Sequence, residues 1–576
     1  MASQAPDARE RKRHGRHYTP PELARFLARR ALLHAPRGAE LRVLDPACGD
    51  GELLLAVHRE VTSSAPEVAV RLAGYDLDRA AVAEAAARAD REGVEIDYRA
   101  GDFLMKAPRL ARGCFDLIIS NPPYVRTQQL GGAAAQQLSR RFGLRGRIDL
   151  THPFVALAPR LLAPGGVLGL LCANRFLTTR AGANLRRILT ADLTPVELYD
   201  LGDTKLFSAA VLPAITIATR PADSVAHDRA IPGDDTISVG CRYVSVYEHP
   251  LPETGCGTDL FEALAGATDC SVGVGGRTFA VEIGELAGNG FVRQPSAVGE
   301  SAHGETAWRM SRPCVDRWLD EIADRTWRTF GDTARIRVGI KTTADRVFIS
   351  DRWDDVDPTP ERELLQPLIT HHDLEPWQID RRRGTRVLYP YDLRRTRRTP
   401  IDLDEFPCAA QYLRTHEKVL SGRRYVLDGG RKWFEIWVPQ RPHLWGAPKL
   451  VFPDISERPR FALDRSGAVV NGDCYWISLT DLDTGESATD LAYLLMGVAN
   501  STLGLRFYDA VCGNRLYSGR RRWITQYVAR LPLPDPRSPA AVEVVRRVRG
   551  VLEDGVAAAD AAVDEAVAAA FGVPAQ

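Results

Sequence analysis

No apolar run in the chain approaches the ~18 residues that cross a bilayer. The longest, GVLGLLCA from Gly166, has the length of a core strand. The first seventeen residues, MASQAPDARERKRHGRH, are basic, but no apolar segment follows them, so no secretory signal is expected. The ten cysteines are scattered singly without a C-x-x-C pair. That argues against a disulfide framework or a zinc site and for a reducing, cytoplasmic setting. Repeats at solenoid or propeller spacing are missing too. Net charge is only +1, which by itself points to no polyanionic partner. The first glycine-rich turn has neither the G-x-G-x-x-G spacing nor a basic residue, which disfavours a pyrophosphate cradle.

What is present is a rhythm. The 576 residues suggest several domains. TPPELARFLARRALLHA reads as a helix, with Thr19 as candidate N-cap and prolines in the first turn. Strand and helix patterns then alternate from LRVLDPACGDG through AITIATR. Such alternation predicts a doubly wound α/β sheet with ligands bound outside the carboxyl ends of its strands. Beyond about residue 220 the rhythm fails. Residues 223–330 read as an irregular linker, and the chain then becomes rich in aromatics, prolines and arginines before an Ala-rich helical tail. Charge is uneven as well: residues 376–441 hold fifteen Lys and Arg against eight Asp and Glu. Eight of those arginines fall in RRRGTRVLYPYDLRRTRR with two tyrosines among them, either a phosphate-contacting face or a solvated surface.

Three successive strand ends carry acids. DPACGDG opens on Asp45 and contains Asp50; both suit a ligand with a cationic end, and the glycines permit close backbone approach. Asp76, in GYDLD, can accept the two hydroxyls of a ribose. In GDF, Asp102 can accept from an adenine amino group while Phe103 packs on the base. The ordered set describes S-adenosylmethionine better than NAD or ATP. The fourth strand, FDLIIS, runs into NPPY. Asn121 offers a carbonyl acceptor, the Pro122 peptide offers only its carbonyl, Pro123 stiffens the turn, and Tyr124 offers a stacking face. Two converging acceptors suit an –NH₂ group. Accepting both its hydrogens favours a pyramidal nitrogen whose lone pair can attack a sulfonium methyl. A base inside a duplex would have to be flipped out to reach such a turn.

These residues resemble the gamma-class (Taq-type) N6-adenine DNA methyltransferases. The T-P-P helix, LDPACGDG, the acids at the second and third strand ends, NPPYV, and LLAPGGVLGLLCANRFL are all similar to that family's motifs. The resemblance implies a Rossmann-like class I methyltransferase sheet followed by a C-terminal α+β target-recognition domain. It implies cofactor binding by Thr19, Asp45, Ala47, Gly49, Gly51, Asp76, Asp102 and Phe103, and catalysis by Asn121, Pro122, Pro123 and Tyr124. It also implies stacking of the target base on Tyr124 and Phe207. The expected organisation is a basic arm (1–17), a methyltransferase domain (18–222), a linker (223–330) and a recognition domain with a helical tail (331–576). The implied reaction moves a methyl group from S-adenosylmethionine to N6 of adenine in double-stranded DNA. It would be the modification half of a restriction-modification or phage-defence system with a cognate endonuclease. One motif departs from the family: residues 339–345 read GIKTTAD, without the second glycine of a G-x-T-G-type turn, which puts the local backbone geometry in question.

Other readings share parts of this pattern. N4 of cytosine, a guanine amino group in ribosomal RNA and a protein glutamine amide all fit N-P-P-[YF], and a non-catalytic DNA-specificity subunit could keep the fold. The T-P-P helix and the large C-terminal region favour DNA. Cys48 reads as packing, because a ring-carbon methyltransferase would need Pro-Cys where this chain has Pro-Pro. The pair His371-His372 with Asp373 reads as a solvated loop in preference to a metal site. SGRRRWITQYVARLP fits either a DNA contact or a cap on the recognition domain. Residues 125–147 fit either a loop that orders on substrate or a plain insertion. No acid-acid-lysine cluster stands out as a nuclease.

Overall fold

The computed structural model describes residues 18–124, 132–206, 212–222, 240–248, 259–287, 307–482, 487–512, 516, 519–554 and 559–575. Two compact units form, Met1–Pro313 with Arg515–Gly519, and Cys314–Asn514 with Arg520–Gln576.

The first unit is built on one eleven-stranded sheet. Its strands are β1 (Glu40–Asp45), β2 (Ala69–Asp76), β3 (Ile96–Ala100), β4 (Phe115–Ser120), β5 (Leu162–Ala173), β6 (Thr194–Asp200), β7 (Pro213–Thr219), β8 (Arg242–Glu248), β9 (Cys270–Val274), β10 (Arg277–Ala287) and β11 (Arg309–Ser311). The order is β11-β10-β8-β6-β7-β5-β4-β1-β2-β3, with β9 paired to β10. The stretch from β5 through β3 is parallel, so β1 to β4 end on one edge, as the alternation predicts. β7 runs antiparallel between β5 and β6. This is the expected Rossmann-like sheet. It reaches further than the alternation suggests: β8, β9 and β10 lie in the stretch read as a linker and extend the sheet by pairing β8 onto β6 and β10 onto β8. β9 and β10 pair antiparallel with no helix between them, which is not the α/β rhythm, and that is why the pattern hid them.

Helix α1 (Pro21–Leu32) buries Leu23, Leu27 and most of Phe26 against the sheet, each worth about 1.5–3 kcal/mol. Phe26 meets Tyr199 edge to face at 5.1 Å. Behind it Arg30 Nε donates to Glu197 Oε2 at 2.8 Å, His34 Nε2 lies 2.9 Å from Oε1, and the Tyr199 hydroxyl donates at 2.7 Å. Burial alone would raise the Glu197 carboxyl, but these donors hold it down at about 2. The start of α1 differs from expectation. The N-cap is Pro20, which makes no side-chain cap, so Thr19 does not cap the helix.

The second unit is α+β. One four-stranded sheet orders Ile336–Val338, Cys474–Ser478, Lys449–Pro453 and Ala462–Asp464, and another orders Ile349–Ser350, Arg386–Leu388, Leu365–Ile369 and Val469–Val470. The tail is two helices, Pro539–Asp554 and Ala559–Phe571, that pack on each other. In the atypical turn, Gly339 is obligatory because an added Cβ would overlap the Asn471 carbonyl. Thr343, in the same turn, takes the left-handed φ of +58°. A β-branched residue is strained there by about 1–3 kcal/mol. Thr343→Gly is expected to stabilise the protein by about 1 kcal/mol net of the added unfolded-chain entropy. A denaturant midpoint that falls would contradict this.

Several sequence readings change here. Tyr389 and Tyr391 do not belong to the surface that the arginines around them form, whether phosphate-contacting or solvated. They are core residues whose hydroxyls donate to the Pro439 and Ile436 carbonyls at 2.5 and 3.2 Å. The arginines at 381–383, 394, 395, 397 and 398 are exposed. In SGRRRWITQYVARLP, Trp523 and Tyr527 are buried and Arg521 is bidentate on Asp509, so this segment caps its own unit. Asp373 accepts from the Thr370 backbone and hydroxyl, both at 2.7 Å, and His371 Nδ1 lies 2.5 Å from Asp473. Within residues 125–147, Gly132–Phe142 is helical.

Candidate functional site

The glycine turn between β1 and α2 (Glu52–Ser64) is built by backbone that only glycine adopts readily. Gly49 and Gly51 have φ of +52° and +82°. An added Cβ at Gly51 would overlap the Tyr98 hydroxyl. The turn is tied to the end of β2, because the Cys48 N–H donates to the Tyr75 carbonyl at 2.8 Å and the Gly49 N–H to Asp76 Oδ2 at 2.9 Å. Asp76 also accepts from the Asp78 N–H through Oδ1, at 2.8 Å. Asp76 therefore shapes the turn as well as facing the strand-end edge.

Asp45 ends β1 and is 1% exposed. Its Oδ1 accepts from the Ala47 N–H at 3.0 Å, and the Ser120 hydroxyl at the end of β4 is a further neutral donor to the carboxyl. Burial, with the like charges of Asp76 and Asp50, pushes its carboxyl up to about 7. Asp50 has a different role from the one its sequence position suggests. Arg88 donates to Asp50 Oδ2 at 2.6 Å and also binds Glu52. Asp50 is thus neutralised within the protein, and Asp45 is left as the uncompensated acid of the turn.

At the end of β3, Asp102 caps the short helix Phe103–Lys106 by accepting from the Leu104 N–H at 2.9 Å. It is exposed. Phe103 is buried between Tyr75, with centroids 5.1 Å apart, and Phe154, parallel within 11° at 6.2 Å. The sequence did not single out Phe154, which sits inside an ordinary amphipathic helix, Thr151–Leu161.

NPPY leaves β4 beside these ends. Asn121 Nδ2 donates to Thr19 Oγ1 at 3.1 Å. The Tyr124 hydroxyl donates to Asn121 Oδ1 and lies 3.5 Å from the Leu171 carbonyl. Tyr124 packs into the same apolar cluster as Phe103 and Phe154, and burial holds its hydroxyl well above the usual phenol range. Pro122 is buried, and the Pro123 carbonyl accepts from the Thr151 hydroxyl at 3.4 Å. Thr151 is a further contact that the motif did not show. Phe207 lies outside the described residues.

Asp45, Asp76, Asp102 and Asn121 therefore lie at four strand ends along one edge of the sheet. The residues fit S-adenosylmethionine. A buried carboxylate with no cationic partner among the described residues suits a cationic ammonium, the Asp76 and Asp102 carboxylates suit ribose and adenine donors, and Phe103 with Phe154 forms an apolar wall. A phosphate ligand would find Arg88 already committed to Asp50 and Glu52.

Comparison with known proteins agrees. The Eco57I restriction-modification methylase family matches residues 78–207. The type II methyltransferase M.BanIII of Aneurinibacillus aneurinilyticus is 33% identical over 94% of this chain and 93% of its own length. M.PaeR7I of Pseudomonas aeruginosa, also a type II methyltransferase, is 25% identical over 86% of this chain and 81% of its own. Among solved structures, the type IIL restriction-modification enzyme MmeI in complex with DNA covers 99% of this chain and 78% of its own, with a TM-score of 0.61 at 13% identity, a likeness of fold. With the strand-end acids, the glycine turn and the match along nearly its whole length, this chain belongs to the type II methyltransferases of restriction-modification systems, which methylate DNA using S-adenosylmethionine as methyl donor.

Proposed function

We propose that the methyl acceptor is N6 of an adenine flipped out of double-stranded DNA, and that Asn121 and Pro122 hold its amino group. The observation that carries this reading is the orientation of Asn121: Nδ2 is occupied by Thr19, and Oδ1 already accepts a hydrogen bond, from the Tyr124 hydroxyl. That hydroxyl stands in for an N–H donor of the target. The Tyr124 ring therefore has to release Oδ1 and turn its face to the base, and Phe207 is proposed as the other ring that stacks on it. Thr151 steadies the proline corner through the Pro123 carbonyl.

An exocyclic amine is a poor nucleophile because its lone pair is conjugated with the ring. Accepting both hydrogens draws the nitrogen toward a pyramidal geometry and frees the pair, so the contribution of the chain is positioning and electrostatic complementarity. The bound cofactor supplies an electrophilic methyl carbon on a sulfonium. Asp45 is proposed to pair with its ammonium end, Asp76 with the ribose hydroxyls, and Asp102 and Phe103 with its adenine; Ala47, Gly49 and Gly51 shape the turn that carries Asp45. For the polyanionic partner, the exposed arginines at 381–383, 394, 395, 397 and 398 offer a phosphate-contacting face on the second unit. A cognate endonuclease would cut the same site when it is unmethylated.

Expression in a host without DNA methylation, followed by genome-wide mapping of modified bases, tests the reading. The expected result is N6-methyladenine at a single short sequence. N4-methylcytosine at a fixed sequence, or unmodified DNA beside a methylated RNA or protein, would overturn it.

A further inference from the structure

From the geometry we infer that Thr19 is a positioning residue for methyl transfer: its hydroxyl accepts from Asn121 Nδ2 and so aims Oδ1 at the target amine. This deepens the reading above and rests on it.

The side chain of Thr19 is free of the task its position suggests. It precedes a helix, yet the N-cap is Pro20 and no side chain caps α1. Thr19 is nevertheless 7% exposed, and its hydroxyl meets an amide 102 residues away at 3.1 Å. Its place is fixed from behind, because α1 is clamped to the sheet by Arg30 and His34 on Glu197 and by Phe26 on Tyr199. In front, the neighbouring Tyr18 ring lies against the cofactor turn, where a Cβ on Gly49 would be 3.3 Å from it.

An asparagine amide has nearly the same shape at its oxygen and nitrogen ends. With Oδ1 outward it accepts from an amine; with Nδ2 outward two donors face each other and the contact is repulsive. The Thr19 oxygen sets the plane of the amide and takes up an Nδ2 hydrogen when Oδ1 faces the target. An acceptor engaged at Nδ2 also polarises the amide and strengthens Oδ1 as an acceptor. The Tyr124 hydroxyl on Oδ1 shows that the oxygen end is the one turned from Thr19 toward a donor. The same corner thus carries two settings, one for the amide and one for the ring that guards it.

The test uses Thr19→Val, which keeps shape and loses the hydroxyl, Thr19→Ala, which loses it without adding volume, and Thr19→Ser, which keeps it. Single-turnover methyl transfer at saturating cofactor and DNA is measured beside cofactor Kd by equilibrium dialysis. Thr19→Val and Thr19→Ala are expected to slow transfer by about 10-fold, the size of one hydrogen bond, with Kd unchanged. Thr19→Ser should restore the rate, and Thr19→Val should cost nothing further in an Asn121→Ala background. A raised cofactor Kd at unchanged rate would make Thr19 a cofactor ligand and overturn the inference. So would wild-type rates in both hydroxyl-free variants, or Thr19→Ser as slow as Thr19→Val, which would indicate packing. Wild-type protein that methylates no base amine would instead defeat the functional reading itself.

Discussion

Asn121→Ala is expected to slow single-turnover methyl transfer by roughly 10²–10³-fold, the usual cost of removing one preorganised polar group from a reacting centre. Cofactor Kd and DNA affinity should be unchanged. The turn is held without the amide, by two prolines and by the Thr151 hydroxyl on the Pro123 carbonyl. The glycine turn is fastened to the end of β2 by bonds that do not involve Asn121. The loss should therefore fall on the rate alone. A variant that methylates at a near-normal rate would mean that the amine is held by other groups. A variant that no longer binds cofactor would mean that Asn121 is part of the cofactor site.

The second large effect concerns Asp45. Its carboxyl, pushed up to about 7 by burial, is half protonated near neutrality in the cofactor-free protein. A cationic ligand binds the ionised form. Affinity for S-adenosylmethionine should thus be level above about pH 7 and fall up to tenfold per unit below it, with proton release on binding. Asp45→Asn should weaken binding by about 10- to 100-fold at pH 8, the worth of a hydrogen bond to a charged group, and should flatten this pH dependence. The stability of the cofactor-free protein should move the other way. The folded-state carboxyl lies above its unfolded value, so its contribution is full at acid pH and is lost as pH rises through about 7. Isothermal titration calorimetry between pH 6 and 8.5 with thermal melts checks both. Equal affinity across that range would remove Asp45 from the ammonium role.

Much of this edge was legible because its requirements are local. A strand followed by Asp45-Pro46-Ala47-Cys48-Gly49 needs left-handed backbone, and Gly49 and Gly51 supply it. Asp76 closes β2, Asp102 follows β3 by two residues and Asn121 follows β4 directly, so placing the strands placed these side chains. What stayed hidden are pairings between distant segments. The pattern in DPACGDG gives no sign that Asp50 is neutralised by Arg88 while Asp45 is left bare. Thr19 before two prolines looks like a cap until α1 is set against the sheet. Phe154 looks like any apolar residue on a helix face, and β8 to β10 have too little periodicity to announce a sheet.

The sequence by itself determined the parallel core, the strand-end acids and the asparagine-proline corner, because backbone preference and the period of burial act over a few residues at a time. Only the tertiary structure decided which acid is uncompensated, which way the Asn121 amide faces and which tyrosines are core. Charge balance, amide orientation and burial depend on what other segments bring within about 3 Å, and that proximity comes from packing.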